Sequence, residues 1–187
     1  MTIIKKITDI IKSDGVAILP TDTLYGLHAN AFSKKGVERI YKLKNRKRDK
    51  PFIILINSWE DLEKLSIDIS DNIKQKLDKW WPGSLSVILP CNDDSLKYLH
   101  RDTNSLAIRW PDYSVINNII KQTGPLVSTT VNIEGGEPAK TIKEAREIFG
   151  NDVAAYLDDG ELAGTHSTLI KVNGDKIEVL REGVVKV

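Results

Sequence analysis

The sequence predicts an α/β protein of the α+β type, with a twisted mixed β-sheet flanked by helices in a three-layer fold. Three observations carry that prediction. Short apolar runs bounded by Gly or Pro, such as residues 16–19 (Val-Ala-Ile-Leu) and 52–56 (Phe-Ile-Ile-Leu-Ile), read as buried strands. Between the strands lie segments whose apolar residues recur on the one-face helical period. The two kinds of segment intermix irregularly, which favours a mixed sheet over a regular parallel one. At 187 residues, 41% hydrophobic and 28% charged, the chain fits a single domain over residues 1–187 with one sizeable core.

Charge and composition exclude several classes. Lys plus Arg number 27 against 26 Asp plus Glu, so overall charge points to neither nucleic acid nor membrane, and any electrostatic message must come from clustering. No apolar stretch approaches the roughly 18 residues of a membrane helix. Lys5 and Lys6 fall where an export signal keeps its apolar segment, so a cytoplasmic protein without membrane contact is expected. The single cysteine, Cys91, excludes an internal disulfide framework and a multi-cysteine zinc site. No histidine stands at a telling position to make it a nucleophile. His28, His100 and His166 lack His-x-x-x-His spacing, so no preassembled metal site is predicted.

Taken in order, Thr2 caps a first helix with Ile3, Ile4, Ile7, Ile10 and Ile11 on one face, ended by Gly15. The strand at 16–19 then opens into Pro20-Thr21-Asp22-Thr23-Leu24-Tyr25-Gly26, where hydroxyls and a carboxylate follow a core run. These are ordinary turn residues, and they are also the residues that meet ligands beyond strand ends in α/β sheets. Residues 27–31 are ambiguous. Ser33 caps a helix carrying Val37, Ile40 and Tyr41, which runs into the segment from Lys42 to Pro51, where Lys and Arg crowd together. A helix C-terminus favours one or two cations, and more repel one another unless an anion neutralises them.

After the strand at 52–56, Ser58 and Asp61 form a candidate capping box for a helix through Leu65, and Ser70 caps another that Pro82-Gly83 breaks. Trp80 and Trp81 stand at helical spacing beside Leu77, which suits a core role better than base stacking. Residues 85–89 form a strand and 91–94 an exposed loop. Residues 105–108 form another strand, followed by Arg109 just before Pro111. That arginine suits an anion clamp or a strand-end salt bridge. A helix over 114–123 precedes a short strand that surfaces at Ser128-Thr129-Thr130-Val131-Asn132. Thr141 and Glu144 make a capping box for a helix through Phe149, and residues 154–157 a strand. Asn173-Gly174 signals a hairpin between 168–172 and 177–180. Antiparallel pairing there brings Ser167 and Arg181 together at its outer ends.

The element ends thus offer hydroxyls and cations, which suits a polyanion. Neither a Walker-type phosphate loop nor a dinucleotide fingerprint is present. A nucleophilic triad or paired-carboxylate site is not indicated either.

Pro20 to Leu27, Lys44-Asn45-Arg46 with Lys50-Pro51, Trp81-Pro82-Gly83, Arg109 before Pro111, Asn132 after a hydroxyl pair, Ser167-Thr168, and Leu180-Arg181 with Gly183 resemble, in order, the YrdC-like threonylcarbamoyl-AMP synthases. The resemblance covers nearly the whole chain and is to the short, single-domain form. It implies a deep, positively charged cavity and a nucleotidyltransfer reaction in which L-threonine, bicarbonate and ATP give threonylcarbamoyl-AMP and pyrophosphate. Partner transferase proteins then place the threonylcarbamoyl group on tRNA adenosine. By resemblance, Lys44 and Arg46 are catalytic; Lys44, Arg46, Thr130, Asn132 and Arg181 bind ATP; and Thr23, Tyr25, Arg109 and Ser167 surround threonine. Mg2+ is expected to arrive with ATP, with few protein ligands. Asp22 is expected to be a structural hydrogen-bond partner. The chain departs from the family at Thr130, commonly Ser, and at Glu182, commonly Pro, which bears on affinity. The alternative is a module that binds tRNA or double-stranded RNA through phosphate contacts, or a re-purposed paralogue without this chemistry.

Overall fold

The structure, a computed structural model, describes residues 2–174 and 176–187. Its helices are α1 (Ile3–Lys12), α2 (Lys34–Lys44), α3 (Glu60–Lys64), α4 (Asp71–Leu77), α5 (Lys97–His100), α6 (Ser114–Thr123) and α7 (Ile142–Phe149). The strands are β1 (Ala17–Leu19), β2 (Gly26–Asn30), β3 (Ile53–Leu55), β4 (Leu85–Pro90), β5 (Ser105–Arg109), β6 (Leu126–Thr130), β7 (Ala155–Tyr156), β8 (Thr168–Asn173) and β9 (Lys176–Arg181). All of these strands join one mixed sheet in the order β7-β1-β2-β6-β3-β5-β4-β8-β9. The ambiguous residues 27–31 are therefore strand, paired antiparallel with both β1 and β6. Among the described residues, no helix is long and apolar enough to cross a membrane.

Strand alternation divides the apolar residues between two faces. Ile18, Leu27, Ala29, Ile54, Val87, Ile108 and Val127 point to one face and pack with Val37 and Ile40 of α2, Leu62 of α3, Leu77 of α4 and Phe149 of α7. On the other face Ala17, Leu19, Leu55 and Leu126 meet Ile7 and Ile11 of α1 and Ile116, Ile119 and Ile120 of α6. Those two helices cover only part of that face. Register places Gly26, Ser128, Thr130, Ile53, Ala107, Arg109, Ile88 and Leu169 on the same side. There the sheet is left bare and becomes a cavity floor.

Most helix starts follow their caps. Thr2, Ser33 and Ser70 each accept a backbone N–H of the first turn, and Thr141 with Glu144 completes a reciprocal capping box. The expected box at Ser58 and Asp61 does not form. Helix α3 starts at Glu60 without a side-chain cap, and the Asp61 carboxylate instead accepts the N–H of Asn57 at 3.0 Å. The loop expected to be exposed at 91–94 begins with a buried Cys91, whose thiol donates to the Leu65 carbonyl. Trp81 is core, its indole N–H donating to the Leu85 carbonyl at 2.8 Å.

Candidate active site

A cavity of about 450 Å³ lies over the bare part of the sheet, within the range of ~300 to 1,000 Å³ typical of small-molecule sites. The sequence placed a ligand beyond strand ends. The structure spreads the site across a sheet face, with turns as its walls.

One wall is the turn from Pro20 to Tyr25, closed by pairing of Leu19 with Gly26. The Thr21 hydroxyl donates to the Leu24 carbonyl at 2.8 Å and accepts the N–H groups of Thr23 and Leu24, so one side chain helps to shape the turn. Tyr25 is a buried part of this wall. Its hydroxyl donates to the Gly160 carbonyl and accepts the Asp159 N–H, both at 2.8 Å. Burial, with the charges of Asp158 and Asp159, raises its pKa above the ordinary phenol value.

Arg109 projects from the end of β5 into this turn. Its guanidinium contacts Asp22 Oδ1 at 2.5 Å and donates to Thr23 Oγ1 at 3.0 Å and the Gly83 carbonyl at 3.3 Å. The second oxygen of Asp22 accepts the Ser84 hydroxyl at 2.9 Å. Asp22 thus orients Arg109, the structural role expected of it. Arg109 is both a strand-end ion pair and part of the cavity lining.

The basic run divides by environment. Lys42, Lys47, Arg48 and Lys50 face solvent, with Arg48 paired to Glu38 and Lys50 to Glu134. Arg46 turns to the cavity, its guanidinium 5.2 Å from the Phe52 ring centre and hydrogen-bonded to the carbonyls of Lys50 and Pro51. Lys44 is only 1% exposed and lies behind the lining. Its ammonium donates to Thr130 O at 2.6 Å, Asn132 O at 2.7 Å and Asn132 Oδ1 at 2.8 Å. Burial, and secondarily the charge of Arg46, lowers its pKa to about 7. The three oxygens favour the charged form. Thr130 closes the same knot by donating to Asn132 Oδ1 at 2.6 Å.

The far wall is built as the hairpin pairing predicted. Arg181 donates to the Ser167 carbonyl at 2.9 Å, and the Ser167 hydroxyl shares a 2.8 Å hydrogen bond with Ser86. The cavity lining therefore brings together Thr23, Tyr25, Arg46, Arg109, Thr130, Ser167 and Arg181, while Lys44 and Asn132 support it from behind. Sequence reasoning missed His166 and the floor residues Ile53, Ile88 and Ala107. Ile53 sits in a run that reads as apolar throughout, and no local signal marks which of its faces lacks a helix.

The family model described as "Telomere recombination", that of Sua5, YciO and YrdC, matches residues 9–183. The chain belongs to the Sua5/YciO/YrdC family. A protein of Mycobacterium tuberculosis (strain H37Rv) with a provisional threonylcarbamoyl-AMP synthase name is 33% identical over 179 residues, 94% of this chain and 81% of that protein. The threonylcarbamoyl-AMP synthase of Bacillus subtilis (strain 168) is 32% identical over 93% of this chain and 51% of its own length. Sua5 of Pyrococcus abyssi, solved in complex with L-threonine, superposes with a TM-score of 0.89 at 29% identity over 96% of this chain and 54% of that one. This Sua5/YciO/YrdC chain thus spans about half the length of the last two proteins.

Proposed function

We propose that this protein is an L-threonylcarbamoyladenylate synthase that makes threonylcarbamoyl-AMP and pyrophosphate from L-threonine, bicarbonate and ATP in the cytoplasm. The observation that carries the reading is a cavity lined, among the described residues, by the guanidinium groups of Arg46, Arg109 and Arg181 and by no carboxylate. Such a lining suits a reaction in which carboxylate, carbamate and triphosphate are all anions, with the family relationship supplying the reaction class.

In this mechanism the threonine carbamate attacks the α-phosphorus of ATP and pyrophosphate leaves, so the protein contributes positioning and charge stabilisation. Arg46 and Arg181 hold the phosphates, and Thr130 meets ATP from the wall that Asn132 and Lys44 brace. Lys44 then acts on ATP through that wall. Thr23, Tyr25, Arg109 and Ser167 enclose threonine, with the Arg109 guanidinium already oriented by Asp22. The described residues hold no group of three or more His, Cys, Asp or Glu suited to a metal ion. Mg2+ enters as the ATP salt, with few ligands from the protein. The product passes to partner transferase proteins that act on tRNA.

The test is pyrophosphate release from ATP without tRNA. Release should require both threonine and bicarbonate, and Arg46→Ala should lower it by roughly 10²-fold or more. RNA affinity with a steep salt dependence and no such release would establish an RNA-binding module instead.

A further inference from the structure

Making the carbamate requires a free amine, and the amino group of threonine carries an extra proton at neutral pH. We propose that His166 is the base that takes this proton. The inference rests on the synthase reading above and adds a catalytic residue to it.

The lining holds few ionisable side chains, namely Tyr25, Arg46, Arg109, His166 and Arg181. A guanidinium does not give up its proton in a protein and has no lone pair to offer. The Tyr25 hydroxyl is occupied by the Gly160 carbonyl and the Asp159 N–H. Asp22, Asp158, Asp159 and Glu134 lie outside the lining, and each already accepts a hydrogen bond. Asp22 holds Arg109 and Ser84, Asp158 accepts the Gly160 N–H, Asp159 accepts the Tyr113 hydroxyl, and Glu134 takes Lys50 and the Lys47 N–H. Among the described residues of the lining, His166 alone carries a basic ring nitrogen.

The charged groups that bear on the imidazole are Arg181 on β9 and Glu137 in the loop after β6. Partial burial and the Arg181 charge lower its pKa below the usual 6.5, with Glu137 opposing, so the ring is neutral and able to accept a proton at pH 7. Its backbone is held firmly for a loop residue. The His166 carbonyl accepts the Val184 N–H at 3.3 Å, and a Cβ on Gly183 would lie 2.3 Å from that carbonyl oxygen, so only glycine permits the approach. The next residue, Ser167, belongs to the proposed threonine side of the cavity and is fixed to Ser86 and Arg181.

The step balances without another reagent. A proton passes from the threonine ammonium to an imidazole nitrogen of His166. The freed nitrogen lone pair forms the N–C bond to bicarbonate carbon. The C–OH bond breaks, and hydroxide leaves as water with a proton from the same nitrogen, giving the carbamate. The imidazolium, on an exposed residue, returns its proton to solvent.

The experiment compares wild type with His166→Gln and His166→Asn by pyrophosphate release, measuring kcat/KM for threonine from about pH 5.5 to about pH 9. In wild type the rate should fall as pH drops through the lowered pKa of His166. The variants should lose roughly 10²-fold at pH 7, lack that acid limb, keep KM for ATP, and approach wild type at high pH, where free amine is abundant without a base. Variants that keep both the wild-type rate and the acid limb would overturn the role of His166 while leaving the synthase reading intact. Wild type without threonine-dependent release would sink both.

Discussion

His28 provides a stringent test of the energetics of this fold. It sits on β2 opposite Ala17 and Ser128, fully buried, and neither ring nitrogen has a hydrogen-bond partner. Burial lowers its pKa from 6.5 to about 4, opposed by the nearby carbonyls of Leu19 and Val127. A folded-state pKa below the unfolded one means that the unfolded chain binds more protons between those values, so stability falls as pH drops from 6.5 toward 4. At about 1.36 kcal/mol per pH unit the full loss is about 3 kcal/mol, and about 2 kcal/mol of it is present by pH 5. His28→Leu removes both the titration and two unpartnered nitrogens, and should match or exceed wild-type stability at pH 7 by about 1 kcal/mol. The assay is urea unfolding followed by tryptophan fluorescence at pH 7 and pH 5. The difference between the two proteins in their pH dependence isolates His28 from the carboxylates. Equal losses of stability between pH 7 and pH 5 in both proteins would refute the reasoning.

Two further substitutions probe the walls of the cavity. Asp22→Asn leaves Arg109 buried without its counter-charge, and should cost about 3 kcal/mol and lower Tm by roughly 6 to 12 °C by calorimetry, with KM for threonine rising more than KM for ATP. Lys44→Met strips three oxygens of the Thr130 to Asn132 segment of their donor, and should cost about 3 kcal/mol in urea unfolding and raise KM for ATP; a change confined to kcat would contradict the bracing role.

Much of the framework was legible in the sequence because its signals are local. Thr2, Ser33, Ser70 and Thr141 cap their helices because a hydroxyl at that position meets orphan N–H groups one turn away, whatever the rest of the chain does. Asn173-Gly174 announced a hairpin, and pairing of Leu169 with Arg181 brought Ser167 to Arg181. Asp61 went the other way: its carboxylate accepts the Asn57 N–H, and α3 starts at Glu60 without a side-chain cap.

By itself, the sequence determined the class of fold, most element boundaries, the family, and the list of residues from which a site could be made. Tertiary structure alone decided which of them line the cavity. Whether Ile53 is core or floor depends on α1 and α6, distant in sequence, stopping short over one face of the sheet. Whether Lys44 meets solvent or braces a wall depends on β6 bringing Thr130 and Asn132 to it from 86 and 88 residues away. His166 carries no motif at all. Its candidacy as a base rests on the company the fold gives it in the lining: three guanidiniums without a lone pair and a Tyr25 hydroxyl already engaged.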